Sequence, residues 1–283
     1  MYRVSAAKLI VPALAAFALS CDAQQPTSTL APGAASVGAS SGKRATNATN
    51  TTIVLVHGAW ADGTGWEEII PLLQKEGYKV IAVQNPLVSM ANDVETTKRV
   101  IDGETGKGRN VVVAAHSYGG AVMSGAAAGN PGVKALVYIA AFAPDAGERL
   151  DAFIQQYPTD IFSAFEPDAA GFVYLSADKY RPIFAGDLPE RKTRVMQVSQ
   201  KPTHGAIFGQ SNPVAAWRTV PSWFIVAQED KVINPDLERF YASRADPERE
   251  RTTEIKASHV VFISRANQVA RIILEAAGTA AGQ

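Results

Sequence analysis

Ser117, Asp230 and His259 are the residues of this chain whose types and order could carry out covalent chemistry. Ser117 closes an apolar run, Val111-Val112-Val113-Ala114-Ala115-His116, and is followed by Tyr118-Gly119-Gly120 and a stretch of small residues ending at Gly129. A strand, a serine among small residues and then a helix form the layout of a tight turn that pushes a hydroxyl out at the top of a sheet. Gly119 fits that layout because a Cβ there would collide with neighbouring backbone. Ala115 stands where the pattern usually has glycine and is small enough to serve.

A serine hydroxyl is a weak nucleophile until a base takes its proton. The histidines are His57, His116, His204 and His259. His116 adjoins Ser117, and alternation along a strand points it to the other face. His57 ends the first apolar run in a His-Gly pair and reads as structural. His204, in Thr203-His204-Gly205, either points into a substrate pocket or covers a helix end. His259 follows Ile255-Lys256-Ala257-Ser258, leaving a strand for the loop before the last helix, and is the expected base. The imidazole needs a carboxylate to hold its tautomer. Asp230, after the apolar run Trp223–Ala227, gives the chain order Ser, Asp, His that the turn motif calls for. Glu229 and Asp145 are the rival acids. An oxyanion needs two donors, expected from the amides of Tyr118 and of Ala59 in His57-Gly58-Ala59-Trp60. Trp60 either walls the substrate pocket, with His204, or packs in the core.

These residues need a scaffold, and the rest of the chain supplies its pattern. Ile53–Val56, Lys79–Val83, Asn110–Ala115, Val133–Ala140, Ser222–Ala227 and Thr252–Lys256 read as strands. Trp66–Glu76 (with Asp62 or Thr64 as cap), Asn92–Ile101, Tyr118–Gly129, Asp236–Arg244 and Val261–Ala277 read as helices. Apolar strands alternating with helices predict an α/β protein with a doubly wound, mostly parallel sheet. Residues 51–144 and 213–283 form this expected core. Residues 145–212 break the alternation with prolines and scattered aromatics, and are expected as an insertion overhanging the carboxyl edge of the sheet, where such sheets bind ligands.

Composition narrows the class. A 283-residue chain with 47% hydrophobic residues can bury a large core, and its zero formal net charge gives no electrostatic case for nucleic acid or an anionic membrane. One cysteine and scattered histidines form no metal-ligand pattern, so neither metal nor cofactor is expected. Residues 1–23 read as a signal peptide: Arg3 and Lys8 precede the run Leu9–Leu19, shorter than the ~20 apolar residues a membrane span needs. A cut before Cys21 would instead leave a lipidated cysteine, the one membrane attachment the sequence offers. Residues 24–50, rich in Ser, Thr, Ala, Gly and Asn, read as a disordered linker. Its two glycosylation sequons, at Asn47 and Asn50, read as chance.

Taken together, Val56-His57-Gly58-Ala59-Trp60, Ala115-His116-Ser117-Tyr118-Gly119-Gly120, Asp230 and His259 resemble the α/β-hydrolase superfamily over about residues 52 to 277. The His-Gly-Ala-Trp and His-Ser-Tyr-Gly-Gly segments and Ala141-Phe142-Ala143-Pro144-Asp145 are similar to the branch holding plant methylesterases, hydroxynitrile lyases and bacterial hydrolases. The resemblance implies Ser117 as nucleophile, His259 as base, Asp230 as its acid and a mainly helical cap over the pocket. The lyases carry a lysine after the catalytic histidine and a threonine in the loop after the first strand. Here Val260 and Gly58 stand in those places, which favours ester hydrolysis. The expectation is a secreted or periplasmic serine esterase acting through an acyl-enzyme on a small apolar ester. One rival is a receptor-like protein of the same fold that holds a ligand with little turnover. Another is a surface lipoprotein whose role is adhesion, with residues 24–50 as its stalk. Nothing in the sequence speaks to oligomeric state.

Overall fold

A computed structural model describes residue 48 and residues 50–279. The expected signal peptide, Cys21 and nearly all of the expected linker lie outside the described residues.

Six strands form one parallel sheet in the order β2-β1-β3-β4-β8-β9. They are β1 (Thr51–Val56), β2 (Lys79–Ala82), β3 (Asn110–Ser117), β4 (Val133–Ala141), β8 (Ser222–Ala227) and β9 (Thr252–Ile255). Every residue of β1 and β8 is buried, as is all of β3 after Asn110. A continuous apolar strand is stable in that setting because both of its faces are covered. Helices α1 (Ile70–Lys75), α2 (Met90–Thr105), α3 (Gly119–Ala127), α7 (Pro235–Ala245) and α9 (Ala266–Thr279), the last preceded by the one-turn α8 (Val261–Ser264), flank the sheet. The expected α/β architecture is therefore present.

The chain leaves β1 to one side to form β2, then crosses to the other side to form β3. Such a switch opens a crevice outside the carboxyl ends of the two central strands. β1 and β3 pair with Val56 opposite Ala115, so the segments that follow them, Gly58-Ala59 and Ser117-Tyr118, leave the sheet at the same level.

One element differs from expectation and one holds more than was expected. The helix expected over Trp66–Glu76 is a 3-10 turn, Gly63–Trp66, followed by the shorter α1. Asp62 does cap the turn, accepting from the Thr64 amide at 2.7 Å, but Pro71 lacks the N–H that a continuous helix would use and instead starts a new one. The insertion holds more helix than strand, as expected, but it is not helical alone. With α4 (Leu150–Gln156), α5 (Ala177–Lys179) and α6 (Glu190–Val198) it carries an antiparallel sheet of β5 (Phe165–Pro167), β6 (Phe172–Leu175) and β7 (Thr203–His204), in the order β5-β6-β7. β5 and β7 are too short for alternation to reveal, and their pairing with β6 is a tertiary event.

Candidate active site

Ser117 sits at φ +55°, in the left-handed region that a side chain rarely adopts. Holding it there costs on the order of 1–3 kcal/mol, which the surroundings must enforce. They do so by close packing of glycine. A Cβ on Gly58 would lie 2.7 Å from the Cβ of Ser117, and one on Gly119 would lie 2.6 Å from the carbonyl oxygen of His57. The β3–β4 register also shifts between His116 and Ser117, so regular strand geometry ends there.

His259 and Asp230 arrive from the far side of the crevice, on the loops after β9 and β8. Nδ1 of His259 lies 2.6 Å from Oδ2 of Asp230, with both side chains fully buried. Asp230 Oδ1 accepts from the amides of Val232 at 2.7 Å and Ile233 at 3.0 Å, which fixes the carboxylate plane. The imidazole therefore donates from Nδ1 and keeps a lone pair on Nε2, which is buried and makes no hydrogen bond among the described residues. The hydroxyl of Ser117, in a residue 4% exposed, thus does not hydrogen-bond to it. Neither rival acid meets the histidine. Asp145 is bound by Arg218, with Arg218 Nε 2.6 Å from its Oδ1, and Arg218 holds its carboxyl below the usual range. Glu229 is exposed and faces Lys256 at 3.6 Å.

His116 departs from the expectation that it faces away from this chemistry. Its Nε2 donates to the carbonyl oxygen of His259 at 2.9 Å, and the two rings are 4.5 Å apart. It steadies the backbone that carries His259. Burial pushes its proton affinity well down, so it is neutral. His57 is structural, as expected. Its Nδ1–H donates to Gly58 O at 2.9 Å and its Nε2 accepts from the Asn85 amide at 3.0 Å, with burial lowering its pKa to about 4. His204 takes the capping alternative: Nδ1 accepts from the Ala206 amide at 3.3 Å and the ring packs on Phe172. Ser117, Trp60 and His259 are not among its partners.

Trp60 takes part in both structures its sequence position left open. It is 3% exposed, and its ring meets Phe165, Phe184 and Phe208 of the insertion at 5.5, 6.4 and 5.8 Å. Its backbone amide donates to Thr203 Oγ1 and its indole Nε1–H to Val173 O, both at 2.9 Å. These bonds tie the insertion down over the crevice. Ala59, one residue earlier, and Tyr118 donate from their amides to no acceptor among the described residues. The Tyr118 hydroxyl donates to Asp93 at 2.8 Å, which anchors the residue after Ser117 from behind. A cleft of about 70 Å³ lined by Trp60, Phe184 and Phe262 reaches His116, while Ser117 and His259 do not line it. The roomier recess of about 600 Å³ lies on the outer edge, between β9 and α9, and holds none of these groups.

Sequence reasoning missed three groups around the site. Asp187 of the insertion accepts a hydrogen bond from the hydroxyl of Ser258, next to His259. Asp93 and Glu238 are buried acids behind Tyr118 and Asp230. The signal available for both buried acids was an acidic residue in the first turn of a helix beside a site loop.

The family model described as the alpha/beta hydrolase family matches residues 53–272. A probable hydrolase, R7, of a Phoma species is 24% identical over 245 residues, covering 81% of this chain and 99% of that protein. A pyrethroid hydrolase of Sphingobium wenxiniae is 24% identical over 251 residues, covering 80% and 88%. The crystal structure of polyneuridine aldehyde esterase superposes with a TM-score of 0.68 at 18% identity, covering 80% of this chain and 98% of the other.

Proposed function

We propose that this chain, which belongs to the alpha/beta hydrolase family and is a carboxylic ester hydrolase, cleaves its substrate through an acyl-enzyme on Ser117. His259 takes the serine proton at Nε2 as the hydroxyl oxygen attacks the ester carbonyl. It returns that proton to the leaving alcohol, and water then attacks the acyl-enzyme with His259 as base again. Asp230 holds the imidazole tautomer. The amides of Ala59 and Tyr118 receive the oxyanion. The observation that carries this reading is the fully buried 2.6 Å pair of His259 and Asp230, which leaves Nε2 as an unpaired base on the same sheet edge as a serine held at positive φ. A nucleophile–base bond is commonly loose before substrate arrives and tightens in the complex. The aromatic wall of Trp60, Phe165, Phe184 and Phe208 suits a small apolar ester. The basic, then apolar, leader supports export, and mass spectrometry of the mature N-terminus tests both export and lipidation of Cys21.

The test is labelling with a fluorophosphonate alongside hydrolysis of p-nitrophenyl acetate. Fast labelling confined to Ser117, with turnover lost in Ser117→Ala, is the expected result. Unchanged turnover in that variant would overturn the reading, and slow labelling without turnover would support the ligand-holding alternative.

A further inference from the structure

Behind the aspartate lies a second acid that the chemistry above does not use. Glu238, in the first turn of α7, is 3% exposed. Its Oε2 accepts from the Ala227 amide at 2.9 Å, while its Oε1 is buried with no hydrogen-bond donor. Ala227 joins the two acids, since its amide serves Glu238 while its carbonyl oxygen accepts from the Asp230 amide at 3.2 Å, and the two carboxyls are neighbours. The cation beside it, Arg239, is turned to Asp236 at 2.7 Å and to Glu254 at 2.8 Å.

Two carboxylates in contact in a dry site do not both ionise. The anion belongs to the better-solvated partner. Asp230 receives two amides and an imidazole N–H, whereas Glu238 receives one amide. A carboxylate has about four acceptor positions, so Asp230 keeps room for one more donor. A proton on Glu238 fills that position and gives its orphan oxygen a partner in the same bond. Burial, followed by the charge of Asp230, pushes the Glu238 carboxyl well above its usual range, in agreement with this assignment.

We propose that Glu238 is a positioning residue whose carboxylic O–H donates to Asp230, locking the carboxylate against Nδ1 of His259 and withdrawing part of its charge. The proposal rests on the hydrolase reading for its kinetic consequence, though not for the bond itself. The charged groups that bear on Glu238 are Asp230 and Arg239.

The test compares Glu238→Gln and Glu238→Leu in the full chain. Glutamine keeps a neutral donor, so kcat should stay within about threefold of the parent and the acid limb of the kcat/KM profile should not move. Leucine removes the donor, so kcat should fall about tenfold or more with KM nearly constant, in the range typical of lost supporting hydrogen bonds. An acid limb displaced to lower pH in Glu238→Gln would mean that a negative charge had been removed, and would overturn the proposal. So would parental kcat and pH profile in both variants. Should Glu238→Leu not fold, the infrared difference spectrum between the parent and Glu238→Gln decides. The C=O stretch of an un-ionised carboxyl, lost in the variant, supports the proposal, and its absence overturns it. That band is read whether or not an ester is turned over. Its absence leaves the hydrolase reading standing, and full activity in Ser117→Ala sinks the hydrolase reading while leaving the band in place.

Discussion

The two edges of the sheet treat buried charge in opposite ways. At the amino edge, Glu104 accepts from Lys79 and Lys107 at 2.8 Å and from Thr52 Oγ1 at 2.8 Å, with Arg109 3.6 Å away. Burial there raises its pKa, but the hydrogen bonds from Lys107, Lys79 and Thr52 outweigh it and bring the carboxyl to about 2. At the carboxyl edge, Glu238 and Asp93 are shifted the other way by burial, and His57 and His116 are kept neutral. Four buried atoms without partners lie on this side, Nε2 of His259, Nδ1 of His116, Oε1 of Glu238 and Nδ2 of Asn85, against Thr51 Oγ1 at the amino edge. A saturated polar cluster stabilises the fold. An unsaturated one costs stability and leaves donors and acceptors for something else to use. The contrast thus assigns stability to one edge and chemistry to the other.

The sharpest way to break that assignment is at His259. His259→Ala should lower kcat about 10⁴-fold or more. A drop of many degrees with activity per folded molecule intact would reverse the roles of the two edges.

Acid should also strike the carboxyl edge first. His57 is buried neutral with a folded pKa of about 4 against 6.5 unfolded, so the unfolded state binds the extra proton between those values. The stability it contributes is fully present above pH 6.5 and is lost as pH falls to 4, roughly 3 kcal/mol in all. Denaturant titrations of the parent and His57→Gln from pH 7 to 4.5 should show a shallower slope in the variant. Equal slopes would remove His57 from the account.

At the amino edge, Glu104→Ala should cost about 2 kcal/mol, less than the ~3–5 kcal/mol of a fully buried ion pair because Lys79 and Lys107 are themselves exposed. The kcat of the folded protein should not change, and a kcat loss matching His259→Ala would show that the two edges are not separable. The smallest effect belongs to the clasp between insertion and core, where Lys192 meets Glu67 at 3.0 Å and Glu68 at 2.6 Å. Lys192→Ala should change stability by no more than about 0.5 kcal/mol, since both acids are largely exposed and screened, and the difference should vanish in molar salt.

Local signals were strong where a residue's neighbours in sequence are also its physical environment. Val111–Val113 announces a two-faced buried strand, Asp62 caps the turn two residues on, and Ser117 with Gly119 marks the strained turn. They were weak where the environment comes from elsewhere. Alternation places His116 opposite Ser117, yet the register shift at that point and the approach of the His259 loop put the two histidine rings together. β5 and β7 have three and two residues, and only pairing with β6 makes them strands. Glu238 is one of two acids in the first turn of its helix, and nothing in Pro235-Asp236-Leu237-Glu238 says that this one is the buried one.

The order of strands and helices, the strained serine turn and the choice of Asp230 and His259 as a pair were already written in the chain, because each depends on period, spacing and the steric demands of a few small residues. Which carboxyl keeps a proton, which histidine props another, and how tightly the aromatic insertion roofs the crevice were decided by tertiary structure alone. Desolvation and charge coupling depend on what surrounds an atom in three dimensions, and residues 230 and 238, or 116 and 259, become surroundings for each other only once the sheet has closed.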